Sequence, residues 1–172
     1  MNPPVIVALG SNLGDSTNLL IWAMDRIATV SKVALRRSSI WTSTPLECPL
    51  GSPVFLNAVV ELIPLDGITP EGFLEWLKQL ETEAGRLPKK VMNEARPLDL
   101  DIISWGEVVW NSLALILPHP RAYCRRFVLQ PLVELAPDRF LPGHTLSMRE
   151  LLNALPPDAL MRRVETAGLN GD

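Results

Sequence analysis

Arg96-Pro97-Leu98-Asp99-Leu100-Asp101-Ile102-Ile103 sets two carboxylates two residues apart within an apolar run. In a β-strand, side chains at i and i+2 share a face, so Asp99 and Asp101 point the same way. The apolar side chains that point into a core are on the other face: Leu98, Leu100 and Ile102. Two like charges this close repel each other unless a cation lies between them, and Mg²⁺ takes one or two carboxylates together with water and substrate phosphates. The alternative is that both aspartates line the solvated face of an edge strand, and this stretch alone leaves both interpretations open.

The composition limits the class of protein. The chain has 172 residues, of which 47% are apolar and 20% charged, as expected for one globular domain. It begins Met-Asn-Pro-Pro, with no basic leader and no apolar stretch that could span a bilayer, so we expect a soluble, cytoplasmic protein. A net charge of −3 argues against a broad nucleic-acid surface. Cys48 and Cys124 lack metal-site spacing, so we expect reduced packing residues.

Two basic clusters stand out against this acidic background. The first contains Arg86, Lys89 and Lys90, which lie in a polar loop at 86–95, and Arg96, which directly follows that loop. The second contains Arg121, Arg125 and Arg126. Basic clusters near paired aspartates suit a small polyanion such as a nucleotide with its metal. For any single member, solvated surface charge is the ordinary alternative.

Apolar periodicity predicts the order strand, helix, strand, strand, helix, strand. The strands are expected at 5–9, 33–42, 54–62 and through the paired aspartates. The helices are expected from Asp15 or Ser16 to about residue 30, and from a Thr69 cap to a Gly85 stop. The turn at 10–14 between the first strand and helix lacks the lysine of a phosphate-binding loop, so we interpret it first as a turn.

This order of elements predicts an α+β fold. The expected architecture is a ferredoxin-like two-layer sandwich, with a four-stranded antiparallel sheet and helices on one face. Extra helices follow after residue 120, including one at 125–135. We expect one domain over residues 1–165 and a flexible tail over 166–172.

Four further residues are candidates for ligand binding. Phe55 and Asn57 share the strand face opposite an apolar stripe, where a ring could stack on a flat heterocycle and an amide could bond its edge, although plain packing is the more ordinary explanation. Glu81 borders the apolar face of the second helix. His119 lies between two prolines that hold its backbone extended, although a lone loop histidine is more often just exposed.

Five separated motifs together resemble one family. They are Gly10-Ser11-Asn12-Leu13-Gly14-Asp15, Thr44-Pro45-Leu46, Phe55-Leu56-Asn57-Ala58, Arg96-Pro97-Leu98-Asp99-Leu100-Asp101-Ile102, and Pro118-His119-Pro120-Arg121 followed by Arg125-Arg126-Phe127-Val128. In this order they resemble 6-hydroxymethyl-7,8-dihydropterin pyrophosphokinase of folate biosynthesis. The resemblance implies transfer of the β,γ-pyrophosphoryl group of ATP to the pterin hydroxymethyl oxygen, with AMP leaving and two Mg²⁺ ions bound. It implies small-molecule substrates and no nucleic-acid or membrane partner, and we expect a monomer.

The resemblance also assigns roles to residues. Asp99 and Asp101 would bridge the metal ions, and Phe55 and Phe127 would sandwich the pterin. The edge of the pterin would be bonded by Asn57 and by the loop Ser43, Thr44, Pro45 and Leu46. ATP would be bound by Glu81, Arg86, Arg96, Ile102, His119 and Arg125. The catalytic residues would be Arg86, Arg96, Asp99 and Asp101.

The chain departs from the family pattern at three positions. Asn93 stands where a tryptophan is often found before the aspartate motif, so the 86–95 loop is expected to close differently. Phe55 replaces a frequent tyrosine and keeps the stacking ring. Pro88 stands where some members carry an arginine, which leaves open how the loop reaches the phosphates.

Two other classes of protein fit part of the pattern. Two-metal nucleotidyl transferases also place paired aspartates on a ferredoxin-like sheet, but they release pyrophosphate rather than AMP. An RNA-recognition module on the same sandwich would show basic residues and exposed aromatics across its sheet, and it would gain nothing from Mg²⁺ at the aspartates. The acidic net charge and Asp99/Asp101 argue against the second class.

Overall fold

The computed structural model describes residues 2–166. Five strands form one antiparallel sheet: β1 (Val5–Ser11), β2 (Arg36–Arg37), β3 (Trp41–Ser43), β4 (Phe55–Leu62) and β5 (Asp99–Trp105). Their order is β2-β4-β1-β5, and β3 also pairs with β4. The remaining elements are α1 (Ser16–Ala28), α2 (Pro70–Glu83), a hairpin of β6 (Trp110–Asn111) and β7 (Ile116–Leu117), a short 3-10 helix (Ala122–Cys124), α3 (Arg126–Leu135) and α4 (Met148–Ala154). The predicted combination of helices with an antiparallel sheet is therefore confirmed.

The two predicted N-terminal helices form where their end signals lie. Asp15 caps α1, and its carboxylate accepts a hydrogen bond from the backbone N–H of Asn18 at 3.2 Å. Thr69 caps α2, and Pro70 takes the first helical position, where no N–H is needed. Gly85 follows α2 with φ +93°, a left-handed conformation that glycine adopts without steric cost.

The predicted strand over 33–42 was wrong. In the structure it is two short strands, β2 and β3, separated by Ser38, Ser39 and Ile40, so the sheet has five strands rather than four. The hydroxyl of Ser38 accepts the backbone N–H of Val59 at 2.8 Å and donates to the carbonyl of Ser39 at 2.8 Å. A serine side chain thus replaces a backbone carbonyl as one acceptor of the hydrogen-bond ladder and interrupts the strand.

Helices cover both faces of the sheet, whereas the sequence predicted helices on one face with additional C-terminal helices. Helices α1 and α2 pack on the face that carries Val7, Val60 and Leu100. Helices α3 and α4 pack on the opposite face, against Ile6, Val59 and Ile103. This second core stops before the end of the face where Asn57 and Asp99 lie, each opposite Gly10 of β1. That end of the sheet is left open.

The segment after α4 lies along β3. The backbone N–H of Thr42 donates to the carbonyl of Arg162, and that of Val164 donates to the carbonyl of Ile40, each at 2.8 Å. Of the predicted tail, residues 167–172 lie outside the described residues. Within residues 2–166, no helix is long and apolar enough to cross a membrane.

Candidate functional site

A cavity of about 260 Å³ occupies the open end of the sheet. It gathers most of the residues that the sequence assigned to a site: Ser43, Thr44, Leu46, Phe55, Asn57, Arg96, Asp99, Asp101, Arg125 and Phe127. These side chains come from β3, β4, β5, α3 and the loops between them. Residues far apart in the chain therefore meet at one place because the register of β4, β1 and β5 aligns their ends.

The two aspartates have different surroundings. The carboxylate of Asp99 accepts Nη1 of Arg86 at 2.8 Å and lies 3.2 Å from Nη2 of Arg96. Asp101 has no ion pair among the described residues. Its burial, together with the charge of Asp99, raises the pKa of Asp101 to about 6. The strand thus holds one carboxylate that is paired with two arginines and one that has no ion pair among the described residues.

The donor set fits a hard cation that takes most of its ligands from elsewhere. Within residues 2–166, no group of three or more His, Cys, Asp or Glu side chains is placed to hold a metal. Asp99 and Asp101 offer carboxylate oxygens on one strand face, and both residues line the cavity. Mg²⁺ is suited to such a pair, because it completes its octahedron with water and phosphate oxygens.

Arg86 is held by two carboxylates. Its Nη1 lies 2.7 Å from Oε1 of Glu81 on α2 and also donates to Asp99. The same Oε1 of Glu81 accepts the backbone N–H of Leu100 at 2.8 Å, so α2 and β5 share this carboxylate. Burial raises the pKa of Glu81 to about 7. Glu81 therefore fixes the position of Arg86 next to the aspartate strand.

Arg96 has a fixed backbone and an unsatisfied side-chain donor. Its N–H donates to Oδ1 of Asn12 at 2.9 Å, and its carbonyl accepts the N–H of Asn12 at 3.1 Å. The turn at 10–14 thus positions an arginine. The Nε atom of Arg96 is buried without a hydrogen-bond partner among the described residues. A buried, unpaired guanidinium donor is expected to meet an anionic ligand.

An arginine side chain lies over the ring of each of the two phenylalanines in the cavity. The guanidinium carbon of Arg96 lies 5.4 Å from the ring centre of Phe55, and that of Arg125 lies 5.4 Å from the ring centre of Phe127. Nearby, Nδ2 of Asn57 donates to the hydroxyl of Ser43 at 2.7 Å, and both side chains are buried. The amide oxygen of Asn57 is then left as an acceptor, beside two flat rings backed by positive charge.

His119 is fixed in one tautomer. It follows a cis peptide between Leu117 and Pro118, and its backbone N–H donates to the carbonyl of Ile103 at 2.8 Å. Its Nδ1 accepts the backbone N–H of Arg121 at 3.2 Å, so the ring proton lies on Nε2. Burial, together with the charges of Arg125 and Arg121, lowers the pKa of His119 to about 4. At neutral pH this histidine is an uncharged donor.

Some of the predicted site residues do not line the cavity: Pro45, Glu81, Arg86, Ile102 and His119. Arg86 instead shares a second depression of about 220 Å³ with Arg96 and the 85–97 loop. The side chain of Ile102 is 2% exposed and lies in the core beneath α1 and α2. Only the backbone of Ile102 is therefore available to a nucleotide.

The sequence did not identify several residues that line the cavity. Cys48 and Cys124, predicted to be packing residues, are free thiols that line its wall. Glu47 and Asn93 also line it, and both have left-handed backbones, with φ 53° and 54°. Nδ2 of Asn93 donates to the carbonyl of Glu47 at 2.9 Å and joins the two loops. Asparagine tolerates a left-handed backbone better than most residues do. The asparagine at position 93 was therefore the only local sign in the sequence of this conformation.

Comparison with known proteins agrees with this geometry. Residues 6–137 match the family described as 7,8-dihydro-6-hydroxymethylpterin-pyrophosphokinase (HPPK). The chain is 36% identical over 159 residues to a 2-amino-4-hydroxy-6-hydroxymethyldihydropteridine pyrophosphokinase of Pseudomonas aeruginosa, covering 92% of this chain and 95% of that one. It is 35% identical over 147 residues to the folic acid synthesis protein fol1 of Pneumocystis carinii, covering 86% of this chain but only 19% of that longer protein.

A likeness of fold extends to more distant structures. A triple mutant of Plasmodium falciparum HPPK-DHPS with pteroate superposes with a TM-score of 0.68 at 11% identity. The match covers 89% of this chain and 43% of that one. At this identity the likeness concerns the fold alone.

Proposed function

The chain belongs to the 7,8-dihydro-6-hydroxymethylpterin-pyrophosphokinase family, and we infer that it transfers the pyrophosphoryl group of ATP to 6-hydroxymethyl-7,8-dihydropterin. The products are AMP and the pterin diphosphate, an intermediate of folate biosynthesis. The observation that carries this function is the cavity itself. It brings paired carboxylates, an unpaired arginine donor and two arginine-backed phenylalanines to one place.

We propose that Asp99 and Asp101 hold Mg²⁺, and the family resemblance implies two ions. The pair supplies carboxylate oxygens on one strand face, and Asp101 has no ion pair among the described residues. When bound, the metal would neutralise charge on the phosphates and help to align them with the acceptor hydroxyl. The raised pKa of Asp101 supports this assignment, because a site built for a cation is costly to leave without one.

The pterin is proposed to lie between Phe55 and Phe127. Both rings line the cavity, and stacking on a flat heterocycle uses their faces. The free amide oxygen of Asn57 is an acceptor for the amino and ring N–H groups of the pterin. The loop Ser43, Thr44, Pro45 and Leu46 supplies the backbone groups beside it.

The phosphates are proposed to lie toward the arginines and His119. Arg86 and Arg96 already flank Asp99, and Arg125 lies close enough to lower the pKa of His119. Nε2–H of His119 adds a neutral donor, and Glu81 orients Arg86 on the nucleotide side. Phosphoryl-type transfer needs in-line placement and fixed positive charge more than covalent help from the protein.

The residues proposed for the site all lie in one chain, so we propose that the enzyme acts as a monomer. We also propose a cytoplasmic location, where ATP is available as the donor. We also assign the sheet, with α1 and α2 on one face, to the ferredoxin-like class. The helices α3 and α4 are then an addition that covers the opposite face, and α3 forms one side of the cavity through Phe127 and Val128.

The function is tested by incubating the protein with ATP, Mg²⁺ and 6-hydroxymethyl-7,8-dihydropterin and separating the nucleotides. We expect AMP to appear only with the pterin, and Asp99→Ala to abolish it while circular dichroism shows a folded protein. Asp66→Ala is the matched control, because Asp66 is an exposed carboxylate that pairs with Lys32. Release of pyrophosphate would instead assign the site to nucleotidyl transfer, and ADP or no turnover would exclude the proposed reaction.

A further inference from the structure

We propose that Asp158 is a positioning residue for the pterin and acts by fixing Thr44 at the wall of the cavity. This inference rests on the proposed function, because it concerns how the same site selects its substrate. Asp158 lies in the segment that follows α4, 114 residues away from Thr44 in the chain. No motif of the sequence marks it.

The contact engages both hydrogen-bond donors of Thr44. Oδ1 of Asp158 accepts the Thr44 hydroxyl at 2.6 Å, and Oδ2 accepts the Thr44 backbone N–H at 3.0 Å. Oδ1 also accepts the backbone N–H of Leu160 at 2.9 Å, which fixes the carboxylate itself. Burial opposes ionisation of Asp158, but the hydroxyl and N–H of Thr44 lower its pKa, so the group is a carboxylate at neutral pH.

The segment that carries Asp158 is anchored to the site from two sides. Arg126, next to Arg125 and Phe127, donates to the carbonyls of Leu155 and Pro156, each at 2.7 Å. Beyond Asp158, the chain pairs with β3 through Thr42. The carboxylate is therefore held between α3, which carries one proposed stacking ring, and the strand that leads into the Thr44 loop.

This arrangement determines what Thr44 can offer to a ligand. Because both of its donors bond to Asp158, Thr44 presents only acceptor atoms and its methyl group to the cavity that it lines. A 2-amino-4-oxopyrimidine ring presents an amino group and a ring N–H, which are donors. A loop fixed as an acceptor surface suits that edge, and a loop with a free N–H and hydroxyl would not discriminate for it.

The test is Asp158→Asn, which keeps the shape but loses the charge and one acceptor. We expect the KM for the pterin to rise roughly 10-fold, the value of one charge-assisted hydrogen bond, with the KM for ATP and kcat within about threefold of the unmutated values. Asp138→Asn is the control, because Asp138 is an exposed carboxylate of the same C-terminal half and pairs with Arg149. It is expected to change neither KM.

A second arm asks whether the effect runs through Thr44. Thr44→Val removes the hydroxyl donor, so Asp158→Asn is expected to raise the pterin KM less in that background than in the unmutated one. KM does not depend on the fraction of molecules that are folded, so a partly unfolded Asp158→Asn preparation still gives an informative ratio of the two KM values.

The outcomes distinguish failure of this inference from failure of the proposed function. Absence of pterin-dependent AMP in the unmutated protein overturns the proposed function. If the unmutated protein is active, an unchanged pterin KM in Asp158→Asn overturns the positioning role. An equal rise in the KM for pterin and ATP, or full additivity with Thr44→Val, also overturns it, because the effect would then be general or independent of Thr44.

Discussion

The two ends of strand β4 have different polar surroundings on the same face of the sheet. At one end, the carboxylate of Glu61 is buried between Arg36 and Arg139, and each of its oxygens accepts a guanidinium donor. At the other end, Asn57 borders the cavity where Asp101 is held without an ion pair among the described residues. Both ends bury charged or polar groups, but among the described residues only the Glu61 end pairs its buried charge.

The difference separates charge that is paired within the fold from charge that we propose to bind a ligand. Glu61 connects β4 to β2 and to the chain after α3, and its partners complete its hydrogen bonding. At the cavity, the pKa of Asp101 is raised and Nε of Arg96 lacks a partner among the described residues, and outside its lining the pKa of His119 is lowered. Folding tolerates such unsatisfied groups where a ligand completes them.

The largest expected effect is at the cavity end. Asp101→Asn should lower kcat by roughly 10³-fold, because it removes a carboxylate proposed to hold the metal. Its stability should not fall. A raised carboxyl pKa favours folding while the group is protonated, and this contribution is lost as the pH rises through about 6, so ionised Asp101 destabilises the fold at pH 7.5.

Thermal melting at pH 7.5 and saturating kinetics check both parts of that prediction. Asp25→Asn, an exposed aspartate of α1 that pairs with Arg37, is the control. Activity within about tenfold of the unmutated protein, or a lower Tm for Asp101→Asn, would show that this carboxylate is structural like Glu61.

Phe127→Ala is expected to raise the pterin KM by roughly 10- to 100-fold, because base–aromatic stacking is worth about 1–3 kcal/mol per ring. The KM for ATP should change little. Steady-state kinetics with each substrate varied in turn measure this, and Phe140→Ala, at an exposed ring away from the cavity, is the control. An equal rise in both values would contradict a stacking role.

Glu61→Gln should have the reverse profile. It weakens two charge-assisted hydrogen bonds and is expected to reduce the free energy of unfolding by about 1–3 kcal/mol. The kcat of the folded fraction should be unchanged, because Glu61 does not line the cavity. Urea denaturation and activity per folded molecule provide the two measurements, and loss of activity without loss of stability would contradict the comparison.

The last expected effect is a pH dependence. The pKa of Glu81 is raised to about 7, so its contribution to stability is present below about pH 4.5 and is lost as the pH rises through about 7. Relative to Glu81→Gln, the unmutated protein should therefore become less stable over this window. Denaturation at a series of pH values measures the difference, with Glu75→Gln on the exposed side of α2 as control. A constant difference would contradict the raised pKa.

The sequence predicted what depends on local periodicity. The two-residue period placed Phe55 with Asn57 and Asp99 with Asp101 on the face that forms the cavity, and the end signals of α2 located Thr69 and Gly85. Arg96 and Arg125 were found through motifs. The interrupted edge strand was missed because a serine side chain competed with the ladder.

The sequence did not predict contacts between residues that lie far apart in the chain. The bonds from Asn93 to Glu47 and from Asp158 to Thr44 join residues that no pattern relates. The same holds for Glu61, whose alternation in β4 gave no hint that two arginines would reach it from separate segments. Such contacts follow from the packing of α3, α4 and the loops, which only the complete fold determines.

The most direct test of pyrophosphoryl transfer at this cavity is to follow ATP labelled in turn at the α-, β- and γ-phosphates. The account predicts that the β and γ labels move together onto the pterin and that the α label stays in AMP. An α label on the acceptor with free pyrophosphate, or a γ label transferred alone, would contradict it.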